Sequence, residues 1–324
     1  MQETPTLRLV LEKYMEVRGP KLRASSLKQY PLFVYRCFPD WLNKPVGDIT
    51  RFDCEQRYAE LCSIQTSRAV TGGRCQANNA FRVLQALITF SMAYWEYPNK
   101  NCVQQFRAIV KPQTSSPRQT HIPYDKIGQW YQLIQKLSPL ERDMQIMWML
   151  TGVRHRALIN TKWSEVDLND GVLTIPGERE KNKCVNRINL TPFLVRMLRK
   201  RLLLTEGSPY LFPSFQDPSK PCHSISRGYM QVARELGRHK DSTLIACNPH
   251  ALRHTFATCA RMAGLSQDDV AVLLNHIKIG VTGGYIHIPF ETVRPTWTIA
   301  QNFIQDAMGV SNEKPRIVLG KQAS

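Results

Sequence analysis

A segment near the carboxyl end of the chain combines clear helix boundaries with a high density of histidine, arginine and tyrosine. Asn248 followed by Pro249 is typical of a helix start, because asparagine caps free backbone N–H groups and proline has none to leave unpaired. The helix that begins there places His250, Arg253 and His254 on one face, since residues three and four apart are neighbours on a helix. That face therefore carries groups that bind anions and transfer protons.

The signals that follow this helix are equally specific. Glycine adopts the left-handed conformation that ends helices, so the helix is predicted to stop at Gly264. Ser266 begins a capping box that starts a second helix, and His276 falls just past its last turn. The glycine pair 283–284 then directly precedes Tyr285. Because glycines permit backbone movement, this tyrosine is predicted to swing into place rather than to pack in a core.

The composition favours a polyanionic partner. The chain carries 43 Lys and Arg against 26 Asp and Glu, a formal net charge of +17 in 324 residues, which favours nucleic acid. The 9 cysteines include no Cys-x-x-Cys pair and indicate reduced thiols rather than a disulfide framework or a zinc site. The sequence shows no signal peptide and no apolar run of membrane-spanning length, so we expect a cytoplasmic protein.

The length suits two domains, each with its own core. Apolar residues at helical spacing run through residues 1–111 and predict an all-helical domain, whose excess of basic residues would let it contact DNA phosphates. A polar, proline-bearing stretch over residues 112–123 is predicted to be an interdomain linker. Residues 124–310 are predicted to form the second domain, and residues 311–324 a carboxyl-terminal tail.

The predicted fold class is mainly α with a small β-sheet. In the first domain, helices are predicted to begin at Ser25 or Ser26 and at Thr50. In the second, residues 172–175 and residues 186–190 have the pattern of two strands of a β-hairpin, and the remaining apolar pattern is helical. The chain is therefore predicted to hold an all-helical domain followed by a mixed α+β domain.

The motifs of the second domain resemble, in order, those of the tyrosine recombinases, in particular phage and prophage integrases. They are Thr151-Gly152-Val153-Arg154, Lys181 on the hairpin, His250-Ala251-Leu252-Arg253-His254-Thr255-Phe256-Ala257-Thr258, Leu273-Leu274-Asn275-His276 and Tyr285-Ile286-His287. The resemblance spans the second domain, and the helical first domain resembles the family's core-binding domain. It implies a site-specific recombinase that cleaves and rejoins DNA strands through a 3′-phosphotyrosyl intermediate.

The resemblance assigns a role to each reactive side chain. Arg154 and Arg253 are expected to grip the phosphodiester as it gains negative charge. Tyr285 is the expected nucleophile, which attacks phosphorus and displaces the 5′ oxygen. His250 is expected to accept the tyrosine's proton, and His276 to donate a hydrogen bond to a non-bridging oxygen. A purely structural role at the end of its helix would also suit His276.

The hairpin supplies the expected leaving-group acid. Lys181 is assigned to protonate the departing 5′ oxygen. Lys183, two residues on, would point the same way along the strand, so both lysines stay candidates, with Lys181 favoured. His254 and His287 are expected to support the site rather than to react.

One position departs from the family pattern. Members commonly carry an acidic residue three positions after the first arginine, and here that position is Ala157. Either Glu165, Asp167 or another carboxylate supports Arg154, or that contact is missing.

The resemblance also implies the partners. The expected substrate is double-stranded DNA with attachment sites, bound by a homotetramer, with accessory DNA-bending or directionality proteins. No nucleotide cofactor is expected, because a phosphotyrosyl bond conserves the energy for rejoining, and no metal is expected either. The expected setting is integration or excision of a phage or mobile element at the nucleoid of a bacterial host. An apolar helical face within residues 297–308 is predicted to dock into a neighbouring protomer. Many integrases carry an additional arm-binding domain, for which the residues before Leu7 are too few, so the chain is expected to be either a truncated integrase or a simple recombinase.

Two other functions fit part of this pattern. A type IB topoisomerase shares the tyrosine chemistry but relaxes DNA without choosing a partner strand. A non-enzymatic DNA-binding regulator would explain the charge and both domains, but not the reactive residues in family order. A metallonuclease is disfavoured because no carboxylate cluster accompanies the histidines.

Overall fold

Helices with buried apolar faces form two separate units, Met1–Arg118 and Gln119–Ser324. In this computed structural model the second unit also contains a small sheet, so the predicted fold class is confirmed. The roles predicted for residues 1–111 and 124–310 stay predictions. The structure describes residues 4–64, 73–97, 100–110, 121–180, 182–223, 226–238, 245–276 and 289–310.

The first unit is helical throughout the part that the structure describes. Its helices are α1 (Leu7–Arg18), α2 (Ala24–Cys37), α3 (Arg51–Ser63), α4 (Arg74–Tyr94) and α5 (Cys102–Ile109). Phe81 of α4 lies at the centre of the core, where its ring contacts those of Phe38, Tyr58 and Phe106 at centroid distances of 5.4 to 5.5 Å. These aromatic contacts join four of the helices into one core. Helix α5 was not predicted from the sequence.

One of the two predicted helix starts in this unit is confirmed. Thr50 caps α3 through a capping box with Asp53. The prediction of a cap at Ser25 or Ser26 is wrong, because α2 begins at Ala24. The carbonyl oxygen of Arg23 already accepts hydrogen bonds from the next turn, so both serines lie inside the helix.

The second unit packs its helices around α7. Its helices are α6 (Ile127–Ile134), α7 (Pro139–Thr151), α8 (His155–Ile159), α9 (Pro192–Leu204), α10 (Ser226–Leu236), α11 (Pro249–Met262), α12 (Gln267–Leu273) and α13 (Phe290–Met308). Every residue of α7 from Asp143 to Thr151 is buried, and α11 and α13 both pack against it. Because α7 is enclosed, the groups at its carboxyl end are held firmly in place.

A three-stranded antiparallel sheet lies beside these helices. Its strands are β1 (Val166–Asp167), β2 (Val172–Ile175) and β3 (Asn186–Asn189), in that order. Leu173 pairs with the partly buried Val166 on one side and the buried Ile188 on the other, which fixes the register through apolar residues. The predicted hairpin is therefore confirmed, whereas β1 was not predicted.

Helix α13 buries its apolar face within its own unit. Trp297, Ala300 and Ile304 are almost fully buried, and they belong to the same core as α7 and α11. The prediction that this face docks into a neighbouring protomer is therefore wrong, because those side chains already have partners in the same chain.

Candidate active site

Helix α11 presents the polar face that the sequence predicts. Asn248 accepts hydrogen bonds from the backbone N–H groups of His250 and Ala251, both at 3.0 Å, so the predicted cap is confirmed. Leu252 and Phe256 on the opposite side are fully buried and set the rotation of the helix about its axis. The predicted reactive residues consequently lie on the other face.

The guanidinium of Arg253 is held by the carboxyl-terminal ends of two helices. It donates hydrogen bonds to the carbonyl oxygen of Gly152 after α7 and, at 2.7 Å, to that of Leu274 after α12. Both carbonyls lie at the negative end of a helix dipole, which favours a cation there. Burial and then the charge of Arg154 lower the pKa of Arg253 to about 10, so the side chain stays charged at neutral pH.

Arg154 reaches the same place from the residue before α8. Its guanidinium forms an ion pair with the buried carboxylate of Glu180 and donates to the carbonyl oxygen of Asn275 at 3.4 Å. Because Leu274 and Asn275 are consecutive, Arg154 and Arg253 bind adjacent carbonyl groups. The structure therefore brings the two predicted arginines together.

Glu180 supplies a carboxylate to Arg154 in place of the acidic residue that the family commonly has where this chain has Ala157. Ala157 is buried in the core, and neither carboxylate named from the sequence contacts Arg154. Glu165 forms its ion pair with Arg179, and Asp167 accepts hydrogen bonds from two backbone N–H groups of the following turn. Of the alternatives left open by the sequence, the structure supports the third, another carboxylate.

His276 lies beside Arg253 at the end of α12. Its Nε2 lies 2.9 Å from a terminal nitrogen of Arg253. Because a guanidinium only donates, Nε2 accepts this hydrogen bond and the ring proton is on Nδ1. Burial, followed by the charges of Arg253 and Arg154, lowers the pKa of His276 below its ordinary value. The ring is therefore neutral at physiological pH, with an N–H available to a ligand.

His250 and His254 form a pair one helical turn apart. Their Nε2 atoms lie 3.0 Å apart, a distance at which one ring donates and the other accepts. Burial, followed by the charges of His250 and Arg253, lowers the pKa of His254. His254 thus contacts the predicted proton acceptor directly, in agreement with a supporting role.

The structure corrects one expectation about Lys183, which lies in the connection between β2 and β3. Lys183 has a left-handed backbone with φ of 60° and precedes the start of β3, so strand alternation does not govern its direction. The argument that placed it alongside Lys181 is therefore wrong. Lys181, Tyr285 and His287 lie outside the described residues, and their assignments stay predictions.

Three residues around the arginine cluster, Arg154 and Arg253, were not predicted from the sequence. Glu180 and the carbonyl oxygen of Asn275 contact Arg154, and Asn182 donates hydrogen bonds to Asn275. The one available signal was Asn275 itself, since asparagine is favoured among non-glycine residues for the left-handed conformation at a helix end.

Two negative observations apply to the described ranges. Within them, no three His, Cys, Asp or Glu side chains are arranged to hold a metal ion. No helix within them has both the length and the apolar character needed to cross a bilayer.

Comparisons with known proteins agree with this geometry. The profile described as "Phage integrase family" matches residues 124–292. The tyrosine recombinase XerA of Pyrococcus furiosus is 24% identical over 315 residues, covering 95% of this chain and 99% of that protein. The match therefore includes both units.

Solved structures share the fold at low sequence identity. The Tn1549 transposon integrase in complex with transposon right end DNA has a TM-score of 0.67 and 16% identity, covering 90% of this chain and 98% of that one. The lambda integrase tetramer bound to a Holliday junction has a TM-score of 0.66 and 18% identity, covering 86% of this chain and 82% of that one.

Proposed function

Because the chain belongs to the phage integrase family, we propose that it is a site-specific DNA recombinase that cuts and rejoins strands through a phosphotyrosyl intermediate. One observation carries the proposal: Arg154, Arg253 and His276 converge at the end of α12, although they come from separate parts of the chain. Two fixed cations and a neutral donor match the needs of a phosphodiester that gains charge during displacement. Other uses of these two arginines and His276 would not explain why the histidine pair, His250 and His254, lies beside them.

The arginines would act as a clamp on the scissile phosphate. Arg253 is pinned by two carbonyl groups and Arg154 by Glu180, so neither needs to reorganise when DNA arrives. Preorganised charge of this kind stabilises a transition state more than mobile charge does, because no energy is spent on reorientation. The Nδ1–H of His276 is the group that would donate to a non-bridging oxygen.

The remaining steps fall to residues assigned by the family resemblance. The Tyr285 oxygen would attack phosphorus as its proton passes to His250, and the bond from phosphorus to the 5′ oxygen would break. Lys181 would give a proton to that oxygen. Attack by the 5′ hydroxyl of a second strand on the phosphotyrosyl bond would then reverse these transfers, which conserves the bond energy without a nucleotide cofactor.

The substrate would be double-stranded DNA carrying attachment sites, and the active assembly a tetramer with accessory DNA-bending or directionality proteins. The net charge of +17 supports the DNA partner. The likeness to an integrase solved as a tetramer on a Holliday junction supports the assembly. The likeness to transposon and lambda integrases supports a role in moving a mobile element.

A suicide-substrate selection tests the proposal without knowledge of the site. The protein is incubated with duplexes of random sequence that carry a nick, so that cleavage beside the nick releases a short strand and traps the covalent adduct. Wild type is expected to yield denaturation-resistant adducts enriched in one sequence. Tyr285→Phe should give none while retaining DNA binding, whereas Tyr131→Phe, a control, should match wild type.

Two outcomes would overturn the proposal. Adducts that survive Tyr285→Phe would exclude this nucleophile. Relaxation of supercoiled DNA without recombinant product, even with two copies of the selected site, would favour a topoisomerase instead.

A further inference from the structure

The connection between β2 and β3 is tied to the arginine cluster by two asparagines. We propose that Asn182 and Asn275 are positioning residues that hold this connection, and with it the leaving-group acid assigned to Lys181, at the scissile phosphate. The inference rests on the proposed function, because it gives these amides a part in that reaction. Neither asparagine contacts substrate in this role; both act through the segment that they anchor.

Asn275 occupies a backbone position that few side chains tolerate. Its φ is 49°, in the left-handed region, and it follows the last turn of α12. The N–H groups of Asn275 and His276 bond back to Val272 and Ala271, the pattern of a left-handed helix terminus. Glycine would satisfy this backbone equally well, so replacing Asn275 by glycine removes the amide without straining the helix end.

The amide of Asn275 contacts the connection between β2 and β3. Asn182 donates from Nδ2 to Oδ1 of Asn275 at 2.8 Å and to its carbonyl oxygen at 3.1 Å. In return, Nδ2 of Asn275 lies 3.5 Å from Oδ1 of Asn182 and from the carbonyl oxygen of Cys184. Asn275 is only 4% exposed, so water competes little for these bonds.

Contacts with Arg154 and Asn275 fix the two residues next to Lys181 in the sequence, Glu180 and Asn182. Glu180 is anchored by its ion pair with Arg154, and Asn182 is anchored to Asn275. The carbonyl oxygen of Asn275 also accepts from Arg154, so one residue contacts the clamp and the hairpin connection together. The β2–β3 pairing ends at Ile175 and Asn186, so these contacts, together with the ion pair between Arg179 and Glu165, hold the connection beyond the strands.

Positioning of an acid has a specific chemical signature. Proton donation to an alkoxide leaving group contributes on the order of 100- to 10,000-fold to a rate, and it depends on the donor lying within hydrogen-bond reach. A sulfur leaving group departs as a thiolate and needs no proton, because a thiol is far more acidic than an alcohol. A defect in positioning the acid should therefore disappear when the 5′ oxygen is replaced by sulfur.

The test compares Asn275→Gly with wild type on one selected suicide duplex, made with either oxygen or sulfur at the bridging 5′ position. Glycine keeps the left-handed backbone and removes only the amide. We expect single-turnover cleavage of the oxygen substrate to slow about 10- to 100-fold, as when a supporting partner is lost, and cleavage of the sulfur substrate to match wild type. Asn182→Ala should likewise slow cleavage of the oxygen substrate only. Lys181→Ala, which removes the acid itself, should show the largest such defect. Asn169→Ala, the matched control, should cleave both substrates at the wild-type rate.

Each other outcome counts against the inference in a recognisable way. An oxygen-substrate rate equal to wild type would overturn it, as would a defect of equal size on both substrates, which would indicate a role in the clamp or in folding. The double variant should be slowed by less than the product of the two single effects, since both single variants remove the bond from Asn182 to Oδ1 of Asn275. Failure of wild type to form an adduct with either substrate would instead overturn the proposed function.

Discussion

Glu180 is the carboxylate on which the geometry of Arg154 depends. Its side chain is 1% exposed, and removing its charge leaves a guanidinium without its anionic partner. We expect Glu180→Gln to lower the rate of adduct formation on the order of 10- to 100-fold, the usual effect of losing a supporting partner. The measurement is single-turnover cleavage of the selected duplex at saturating protein.

Glu165→Gln is the matched control for that change. It removes the ion pair between Glu165 and Arg179, which does not contact Arg154. Its cleavage rate should stay near that of wild type. If both variants lose activity equally, general destabilisation explains the loss and the assignment of Glu180 fails.

The histidines near the arginines predict how stability depends on pH. Burial first, and neighbouring positive charges second, lower the pKa of both His254 and His276 below 6.5. As pH falls below about 6.5, the unfolded chain binds protons that the folded chain does not, so the folded state loses stability. We expect the wild-type Tm to fall between pH 7 and pH 5. His276→Asn and His254→Asn should flatten that fall.

Thermal unfolding followed by circular dichroism across this pH range checks the prediction. His223→Asn, at an exposed position in the same unit, should retain the wild-type slope. Identical slopes for all variants would show that other groups dominate the pH dependence.

The residues of the site differed in how far the sequence could predict them. Arg154, Arg253 and His276 belong to motifs with fixed local spacing, so their roles could be proposed before their contacts were known. Glu180 belongs to a charged run typical of a solvated turn. Its contact with Arg154 depends on how the hairpin folds back, which no local pattern encodes.

At the scale of elements, the junction between α7 and α8 is constrained by both backbone conformation and packing. Gly152 has φ of 57°, and a Cβ atom there would lie 2.6 Å from Phe256 and 2.9 Å from Leu274. We expect Gly152→Ala to lose about 1–2 kcal/mol through the left-handed backbone and a further 1–3 kcal/mol, roughly, through overpacking. Denaturant unfolding measures the sum.

Gly207→Ala separates these two contributions. Gly207 also has a left-handed backbone, with φ of 81°, but no atom lies within 4 Å of an added Cβ. It should show the backbone penalty alone, about 1–2 kcal/mol. Equal losses for the two variants would mean that the packing against Phe256 relaxes freely.

Helix starts followed the sequence at three positions with a capping side chain. Thr50, Asn248 and Ser266 each cap the helix predicted to follow them, because capping depends on residues within one turn. The start of α2 was mispredicted because Arg23 provides no capping side chain, and a serine nearby looked more suitable. Strand β1 has only two residues and owes its existence to pairing with β2, which a local pattern does not reveal.

At the scale of the whole molecule, the burial of α13 limits how copies of this chain can associate. An apolar helical face predicts that something covers it, but not whether the cover belongs to the same chain. Here it does, because Trp297 packs on Phe256 with ring centroids 5.6 Å apart. The proposed tetramer must therefore use other surfaces.

This conclusion makes opposite predictions for two neighbouring residues of α13. Trp297 is 2% exposed, so Trp297→Ala should destabilise the DNA-free protein by about 3–5 kcal/mol through loss of a large buried side chain. Ile299 is 47% exposed on the same helix, and Ile299→Ala should change stability little. Denaturant unfolding, at a concentration where sedimentation shows monomers, measures both. If Trp297→Ala instead leaves the monomer stable and abolishes assembly on two-site DNA, the face serves a neighbouring protomer and its assignment to the core of its own chain is wrong.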